Sequence, residues 1–334
     1  MMVKKLLLAA GLLMILILSG ACSPSSQDTS LLAPQSTASP AQSADSTQAP
    51  NYSIALVMKT LTNPFFVEME KGARKAEKEL GINLIVKTGA QETSVDQQIT
   101  IIEELIKEDV DAILIAPADS VQLIPVLKKA QDAGIVIINL DNQLDVASME
   151  KVGLTHVPYI SVDNVSGAYL STQTISQNVQ SSTQAVILEG IPTAKNAQDR
   201  KNGALKAFAE NANIQVVASE TAHWKVDEAY QVTADLFNRF PEIKLIFCAN
   251  DMMALGTLQY LKDNQVNGVQ VAAYDALDEV MPMLKDGSLA ATIDQQAANQ
   301  AYTGVQFAIR AIRGEQLPDI TLLDVLLVTR ENAR

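Results

Sequence analysis

The sequence predicts an α/β protein with two doubly wound parallel-sheet lobes around a ligand cleft. Three observations lead to this fold class. Short apolar runs alternate with amphipathic helical patterns from Asn51 onward, which is typical of parallel sheets. The alternation produces more candidate strands than one sheet comfortably holds, so two lobes explain it better. Polar side chains directly follow several of these strands, and open α/β sheets bind ligands at the carboxyl ends of their strands.

The first predicted strand and helix run from Ile54 to Leu80. Residues 54–58 form an apolar run suited to a strand that is covered on both faces. Asn63 followed by Pro64 predicts a helix start, with asparagine as the cap and proline at the first position. Apolar residues then recur at helical spacing, and Gly81 predicts the helix end. The connection between strand and helix collects Lys59, Asn63, Phe65 and Phe66.

The remaining elements continue the alternation. The other strands predicted for the first lobe are 82–86, 112–116, 136–140 and 160–162. Between them, Ser94 and Gln97 predict a capping box for one helix, and 123–133 predicts another that ends at Gly134. The strands predicted for the second lobe are 185–189, 214–218, 245–249, 271–274 and 290–293. Its helices are predicted to follow Asn164, to pass through 204–208, to span 227–240, and to begin at Asn250 or Asp251.

Composition and charge exclude several classes of protein. The 334 residues are 48% hydrophobic and 19% charged, an ordinary globular composition with room for about two domains. The formal net charge is −13, or −15 without Lys4 and Lys5, which argues against nucleic acid as a partner. The two cysteines, Cys22 and Cys248, do not make a disulfide framework, and Cys248 is predicted to be a buried thiol.

The amino-terminal residues predict export and a membrane anchor. A basic start at Met1–Lys5 and an apolar run at Leu6–Leu18 precede small residues, as in a signal peptide over 1–21. The run LSGAC resembles the lipobox of bacterial lipoproteins, which implies lipidation at Cys22. The alternative is a retained signal anchor. Residues 22–51 then predict a lipid-anchored tether rich in Ser, Thr and Pro, with a coil length of roughly 30 Å.

Motifs of several enzyme and cofactor classes do not occur in the sequence. It contains no G-x-G-x-x-G, G-x-x-x-x-G-K-[ST], H-E-x-x-H or G-x-S-x-G. The two histidines, His156 and His223, are too few for a histidine-built metal site. We therefore expect no cofactor, no metal ion and no catalytic residue.

The polar residues at the predicted strand ends suggest the kind of ligand. They are Lys59, Asn63, Asp141, Asn142, Asn250, Asp251, Asp275 and Gln295, with Arg200 and Trp224 near connections of the second lobe. A neutral polyol needs carboxylates as acceptors, cations as donors, amides as both, and aromatic faces for its C–H surfaces. Taken singly, each residue can be a helix cap or a turn residue. A glycosidase with Asp141 and Asp275 as its carboxylate pair is a further alternative.

Six segments resemble one family in order along the chain. They read KTLTNPFFVEMEKG, NLDNQLD, VDNVSGAY, ASETAHW, IFCANDMMALG and ATIDQ. From about Tyr52 onward the chain resembles the sugar-binding proteins of bacterial ABC transporters, of the ribose and D-allose type, and is closest to the D-allose type. The resemblance implies the type I periplasmic-binding fold with a hinge of three crossings.

The resemblance also implies roles for individual residues. Hydrogen bonds to sugar hydroxyls are implied for Asn63, Asp141, Arg200, Asn250, Asp275 and Gln295, and contacts with the ring for Phe65, Phe66 and Trp224. Lys59 matches the allose type, whereas the ribose type has serine there. Asn142 stands where the ribose type has arginine and the allose type glutamate, and Phe66 stands where the allose type has tryptophan.

The family topology implies the domain boundaries and the partners. The first lobe is expected over 52–161 and 296–324, and the second over 162–295 and 325–334. We expect a monomer, anchored on the outer face of the membrane, that passes a monosaccharide to ABC permease subunits. A sensor that serves a chemoreceptor or a sensor kinase is the alternative. The family's regulators carry an amino-terminal helix-turn-helix where this chain has a signal and a tether, so DNA binding is not expected.

Overall fold

The computed structural model describes residues 51–334, which contain two mixed α/β lobes. The predicted signal, the tether and Cys22 lie outside these residues. The strands are β1 (Ser53–Met58), β2 (Asn83–Thr88), β3 (Ala112–Ile115), β4 (Val136–Leu140), β5 (Tyr159–Val162), β6 (Thr183–Glu189), β7 (Ile214–Thr221), β8 (Ile243–Cys248), β9 (Gln270–Ala272), β10 (Ala291–Asp294), β11 (Ile320–Leu323) and β12 (Leu326–Thr329). The helices are α1 (Pro64–Leu80), α2 (Val95–Lys107), α3 (Ile124–Asp132), α4 (Val146–Val152), α5 (Asn164–Ser176), α6 (Lys195–Ala209), α7 (Val226–Arg239), α8 (Asp251–Asp263), α9 (Met281–Asp286) and α10 (Ala297–Ile312).

The strands form two six-stranded sheets. The first sheet has the order β11-β5-β4-β3-β1-β2, and the second has the order β12-β10-β9-β8-β6-β7. We call the first sheet with its packed helices the first lobe, and the second sheet with its packed helices the second lobe. The chain passes between the sheets after β5, after β10 and after β11, so the predicted three crossings are confirmed. The exact residues at which one lobe ends and the other begins stay a prediction.

Both sheets are parallel except at one edge. All strand pairs of the first sheet are parallel, and in the second sheet only β12 runs antiparallel, against β10. The strands β11 and β12 were not predicted from the sequence pattern. Ile320, Leu322 and Leu326 in them are exposed, so the two strands lack the continuous apolar run that marks the buried ones.

The β1–α1 unit forms as the sequence predicts. Residues 54–58 are fully buried, which stabilises the fold by about 1.5–3 kcal/mol for each large side chain. The Asn63 side chain accepts a hydrogen bond from the Phe65 amide, so its predicted capping role is confirmed, and Gly81 ends the helix in a left-handed conformation. Gly72 is required by close helix packing, because a Cβ there would lie 1.9 Å from the Ala298 carbonyl oxygen of α10.

Three local details can be compared with the prediction. The capping box at Ser94 was wrong, because Ser94 makes no side-chain cap bond and the Gln97 side chain instead accepts from the Ala90 amide. Asn250 caps α8 by accepting from the Met253 amide. Cys248 is fully buried, as predicted.

Among residues 51–334, no helix combines the length and the apolar character needed to cross a membrane.

Candidate functional site

The turn between β1 and α1 supplies the first wall of the site. Asn63 is fixed by two hydrogen bonds, since its oxygen caps α1 and its nitrogen donates to Oε1 of Glu92 over 2.8 Å. Phe65 and Phe66 follow in the first turn of the helix, with their rings edge to face and 5.0 Å between centroids. Lys59, directly after β1, is 2% exposed, so its ammonium group is held inside the protein.

The buried ammonium group of Lys59 is paired with Asp141. The distance from Nζ to Oδ2 is 3.0 Å, and Asp141 lies just after β4. Asp141 has a φ of 60°, a left-handed conformation that is uncommon for an aspartate. Its carbonyl oxygen accepts hydrogen bonds from the hydroxyl groups of Tyr159 and Ser161, which hold this backbone in place. The other carboxylate oxygen of Asp141 accepts from Nδ2 of Asn196, in the second lobe, over 3.1 Å.

Arg200 organises the second wall. The guanidinium group extends from α6 and donates to Asn164, to the Ala249 carbonyl and to the carboxylate of Asp275. It also donates to Oε1 of Gln295 over 3.2 Å, and the Gln295 amide donates in turn to Asp275 over 2.6 Å. The five N–H donors of an arginine suit this fixed network. Arg200, Asp275 and Gln295 therefore form one buried unit.

The backbone around Asp275 is held in an unusual shape. Asp275 has a φ of 124° and Ala276 a φ of 54°, which costs free energy unless neighbouring groups hold the turn. Asp251 provides that support, because its carboxylate accepts from the Leu277 amide over 2.8 Å and from the Thr292 hydroxyl over 2.7 Å. The Thr292 oxygen accepts from the Ala276 amide. Asp275 does not cap the following helical turn, because the cap residue is Leu277.

Aromatic rings complete the walls. Trp224 is 4% exposed and lies where the chain leaves β7. The Lys59 ammonium nitrogen is 5.5 Å from the ring centre of Phe66 and 6.0 Å from that of Trp224. The Arg200 guanidinium carbon lies 3.8 Å from the ring centre of Tyr274. The cations thus contact aromatic faces, an attraction that is strengthened where water is excluded.

These groups surround a small cavity of about 20 Å³ between the lobes. It is lined by Lys59, Asn63, Phe65, Phe66, Glu92, Asp141, Asn196, Arg200, Trp224, Asn250, Asp275 and Gln295. Ten of the eleven residues predicted to contact a ligand therefore meet at one cavity. This free volume is about that of one water molecule, so a larger ligand requires the lining to move apart.

Asn142 is the predicted residue that does not line the cavity. Its Nδ2 donates to the Pro117 carbonyl over 3.1 Å, and its oxygen accepts from the Asn196 amide and the Ser120 hydroxyl. The side chain is fully buried and faces the contact between the lobes. Its departure from the ribose-type and allose-type residues therefore falls beside the cavity and not in its lining.

Two lining residues, Glu92 and Asn196, were not predicted. Glu92 lies in the loop after β2, and Asn196 lies one helical turn before Arg200 on α6. Glu92 had a usable signal in the sequence, since the loop after a parallel strand faces the cleft, whereas Asn196 is placed by the contact of α6 with the first lobe. Both are 5% exposed or less.

Burial changes the proton affinities of two carboxyl groups of the cavity lining and of Asp251 behind it. Burial raises the pKa of Glu92, although the charge of Lys59 acts in the opposite direction. Burial likewise raises the pKa of Asp275 to about 7, against the effect of Arg200. The pKa of Asp251 is raised well above its ordinary value by burial and by the nearby charge of Asp275. Burial thus shifts all three carboxyl groups towards their neutral forms.

Comparison with known proteins relates this architecture to one family. A family model described as periplasmic binding protein domain matches residues 54–316. A D-ribose/D-allose-binding protein of Pseudomonas aeruginosa is 39% identical over 267 residues, which cover 78% of this chain and 82% of that protein. A D-allose-binding periplasmic protein of Escherichia coli is 32% identical over 284 residues, which cover 83% and 91%.

A solved structure shows the same similarity. It is an ABC transporter periplasmic solute-binding protein from Actinobacillus succinogenes with bound D-allose. The TM-score is 0.80 and the sequence identity is 37%, and the match covers 84% of this chain and 99% of that one.

Proposed function

The chain belongs to the periplasmic binding protein family, and on this premise we propose that it captures a monosaccharide of the allose or ribose kind and delivers it to an ABC permease. The observation that carries the proposal is the buried cavity, where cations, carboxylates, amides and aromatic rings converge from both lobes. Its lining supports a small polyhydroxylated ligand.

The chemistry of the lining suits a neutral sugar. Each hydroxyl group donates one hydrogen bond and accepts up to two, so a sugar needs donors and acceptors on every side. Asp141 and Asp275 offer carboxyl oxygens as acceptors, Arg200 offers directed donors, and the amides of Asn63 and Asn250 offer both. Phe65, Phe66 and Trp224 provide flat apolar surfaces for the ring. We propose these residues, with Lys59 and Gln295, as the ligand-binding set.

Direct contacts between the lobes support capture by closure. The Ser120 amide donates to the Thr193 carbonyl, and the Lys195 amide donates to the Ser120 hydroxyl oxygen. Leu277 of the second lobe packs into the apolar core of the first. We propose that this closed form is the one that a permease recognises, and that the lobes, over 52–161 with 296–324 and over 162–295 with 325–334, open about the three crossings.

We propose that the protein carries out no catalysis. Both carboxylate oxygens of Asp141 are already engaged, one by Lys59 and one by Asn196, which is unfavourable for a nucleophile. Incubation of the pure protein with aryl glycosides tests this directly. If the wild type hydrolyses these glycosides and Asp141→Asn does not, the protein is a glycosidase and the proposed binding role is wrong.

The proposal includes export and lipid anchoring at Cys22, so that the protein acts as a monomer on the outer face of the membrane. The LSGAC run and the polar spacer behind it are the supporting observations. Metabolic labelling with a fatty-acid analogue should mark the wild type and a Cys248→Ala control, and leave Cys22→Ala unmarked. Equal labelling of all three would contradict the anchor.

A thermal-shift screen of pentoses, hexoses and polyols tests the ligand class. A ligand that binds only the folded form stabilises it by about 4 kcal/mol at a thousandfold excess over Kd. We expect D-allose or a related hexopyranose to give the largest shift, followed by D-ribose. A screen in which only amino acids or nucleosides raise the Tm would remove the sugar assignment.

Uptake of the labelled sugar by cells then separates transport from sensing. Deletion of a transport protein reduces uptake, whereas deletion of a sensor leaves it unchanged.

A further inference from the structure

The ionic groups of the cavity leave one carboxyl group without a cation partner. Lys59 pairs with Asp141 at 3.0 Å, and Arg200 pairs with Asp275 at 3.4 Å. Glu92 is the fifth ionisable side chain of the lining, and within residues 51–334 it forms no ion pair. A buried carboxyl group is costly unless hydrogen bonds or a cation satisfy it.

The two oxygens of Glu92 differ in their surroundings. Oε1 accepts from the Asn63 amide over 2.8 Å, and this contact fixes the direction of the side chain. Oε2 accepts no hydrogen bond from the described part of the chain. It is also not completely enclosed by protein atoms. Because Glu92 lines the cavity, is only 5% exposed and has Oε1 engaged by Asn63, Oε2 is the oxygen left available for a ligand.

A second acceptor on the same cavity also lacks a donor. The side-chain oxygen of Asn196 is fully enclosed and, in the region from 51 to 334, has no hydrogen-bond partner, while its nitrogen donates to Asp141. A buried polar atom without a partner is a substantial free-energy cost, so such atoms commonly mark the place of a bound group. Glu92 and Asn196 lie on different lobes, and each leaves one side-chain oxygen without a hydrogen-bond donor in the described part of the chain.

We propose that Glu92 is a specificity-determining residue, whose Oε2 accepts a hydrogen bond from one hydroxyl group of the sugar. The inference rests on the proposed function and deepens it. It adds an acceptor to the ligand-binding set, from a loop that contributes no other residue to the lining. Sugars that lack this hydroxyl group, or carry it in the other configuration, leave Oε2 unsatisfied and are disfavoured.

The substitution Glu92→Gln distinguishes a direct contact of Oε2 with the sugar from an indirect effect through the Asn63 side chain. Glutamine keeps a carbonyl oxygen for the Asn63 amide and replaces Oε2, an acceptor, with an NH₂ donor. Glu92→Ala removes both contacts. Glu150→Gln is a matched control, because it removes the same charge from an exposed position on α4. Melting curves of the three ligand-free variants establish that each is folded.

Calorimetry then measures Kd for D-allose, D-ribose and the monodeoxy analogues of each. For one analogue we expect the wild type and Glu150→Gln to bind about tenfold or more weakly than the parent sugar. In Glu92→Gln and Glu92→Ala the same analogue should bind within about twofold of the parent sugar, because the lost hydroxyl group no longer has its acceptor. All other analogues should keep their wild-type ratios.

Two results would overturn the inference, and they are distinct from failure of the proposed function. Weakening of every sugar by one common factor means that Glu92 acts only through Asn63. Unchanged Kd values in both variants mean that Oε2 contacts no ligand. If the wild type itself binds none of the sugars, the proposed function fails and the inference falls with it.

Discussion

The side-chain oxygen of Asn142 accepts a hydrogen bond from the backbone amide of Asn196, with 3.2 Å between the two atoms. Asn142 belongs to the first lobe and Asn196 to the first turn of α6 in the second. The residue before this helix, Ala194, offers no side-chain cap. The first amide groups of a helix have no partner within it, so the first lobe supplies the cap that α6 lacks. Ser120 completes it by accepting from the Lys195 amide.

This relationship predicts that Asn142 controls closure and not sugar preference. Loss of a helix cap costs about 0.5–2 kcal/mol, so Asn142→Ala should weaken binding of D-allose and of D-ribose by the same factor, about two- to thirtyfold. Calorimetry with both sugars measures it. Asn83→Ala, which removes an exposed asparagine at the start of β2, is the control and should bind like the wild type. A change for one sugar alone would mean that Asn142 contacts the ligand.

The carboxylate of Asp275 predicts a larger effect. One of its oxygens accepts from Gln295 and Arg200, and no hydrogen bond from residues 51–334 reaches the other. Asp275→Asn keeps the shape but replaces an acceptor oxygen with an NH₂ donor, so affinity for the best sugar should fall about ten- to a hundredfold. Calorimetry gives the affinity, and Asp278→Asn, at an exposed position nearby, is the control. Unaltered affinity would leave Asp275 with a structural role only.

Stability of the ligand-free protein should decrease as pH rises from about 4 to about 7. Burial raises the pKa of Asp275 from 3.8 to about 7. Over that interval the folded protein keeps a proton that the unfolded chain has released, so the free energy of unfolding falls as pH rises. Melting curves of the wild type and of Asp275→Asn at several pH values check this. The variant should show the smaller pH dependence, and equal slopes would contradict the prediction.

The sequence predicted the parts of the site that depend on local structure. Asn63 was identified because a cap, a proline and an apolar stripe stand within a few residues of each other. Asp141, Asp275 and Gln295 were placed by the rule that parallel strands end at the ligand edge, together with the family resemblance. These positions do not depend on how the two lobes meet.

The parts that sequence reasoning missed depend on contacts between distant segments. Asn196 reaches the cavity only because α6 of the second lobe meets Asp141 of the first. Asn142 is turned toward that same contact, which its place beside Asp141 in the sequence does not reveal. The strands β11 and β12 are short and take their partners from opposite sheets, so their pairing has no periodic signal.

The last prediction concerns the contact between Gly190 and Trp224. A Cβ at Gly190 would lie 2.0 Å from the Trp224 ring, so Gly190→Ala must displace that ring from the cavity wall. Because Trp224 is the only tryptophan in the 334 residues, its emission spectrum reports the displacement directly. We expect a changed emission spectrum and a fall in sugar affinity of about tenfold or more, as the ring loses its packing against the ligand.

A second glycine provides the control for this experiment. Gly304→Ala adds a methyl group in the core of the first lobe, 3.0 Å from side-chain atoms of Leu114 and Leu140. It should lower the Tm modestly while leaving the emission of Trp224 as in the wild type, because the strain falls in the other lobe. If Gly190→Ala changed the emission of Trp224 but left the affinity unchanged, the ring of Trp224 would not form part of the binding surface.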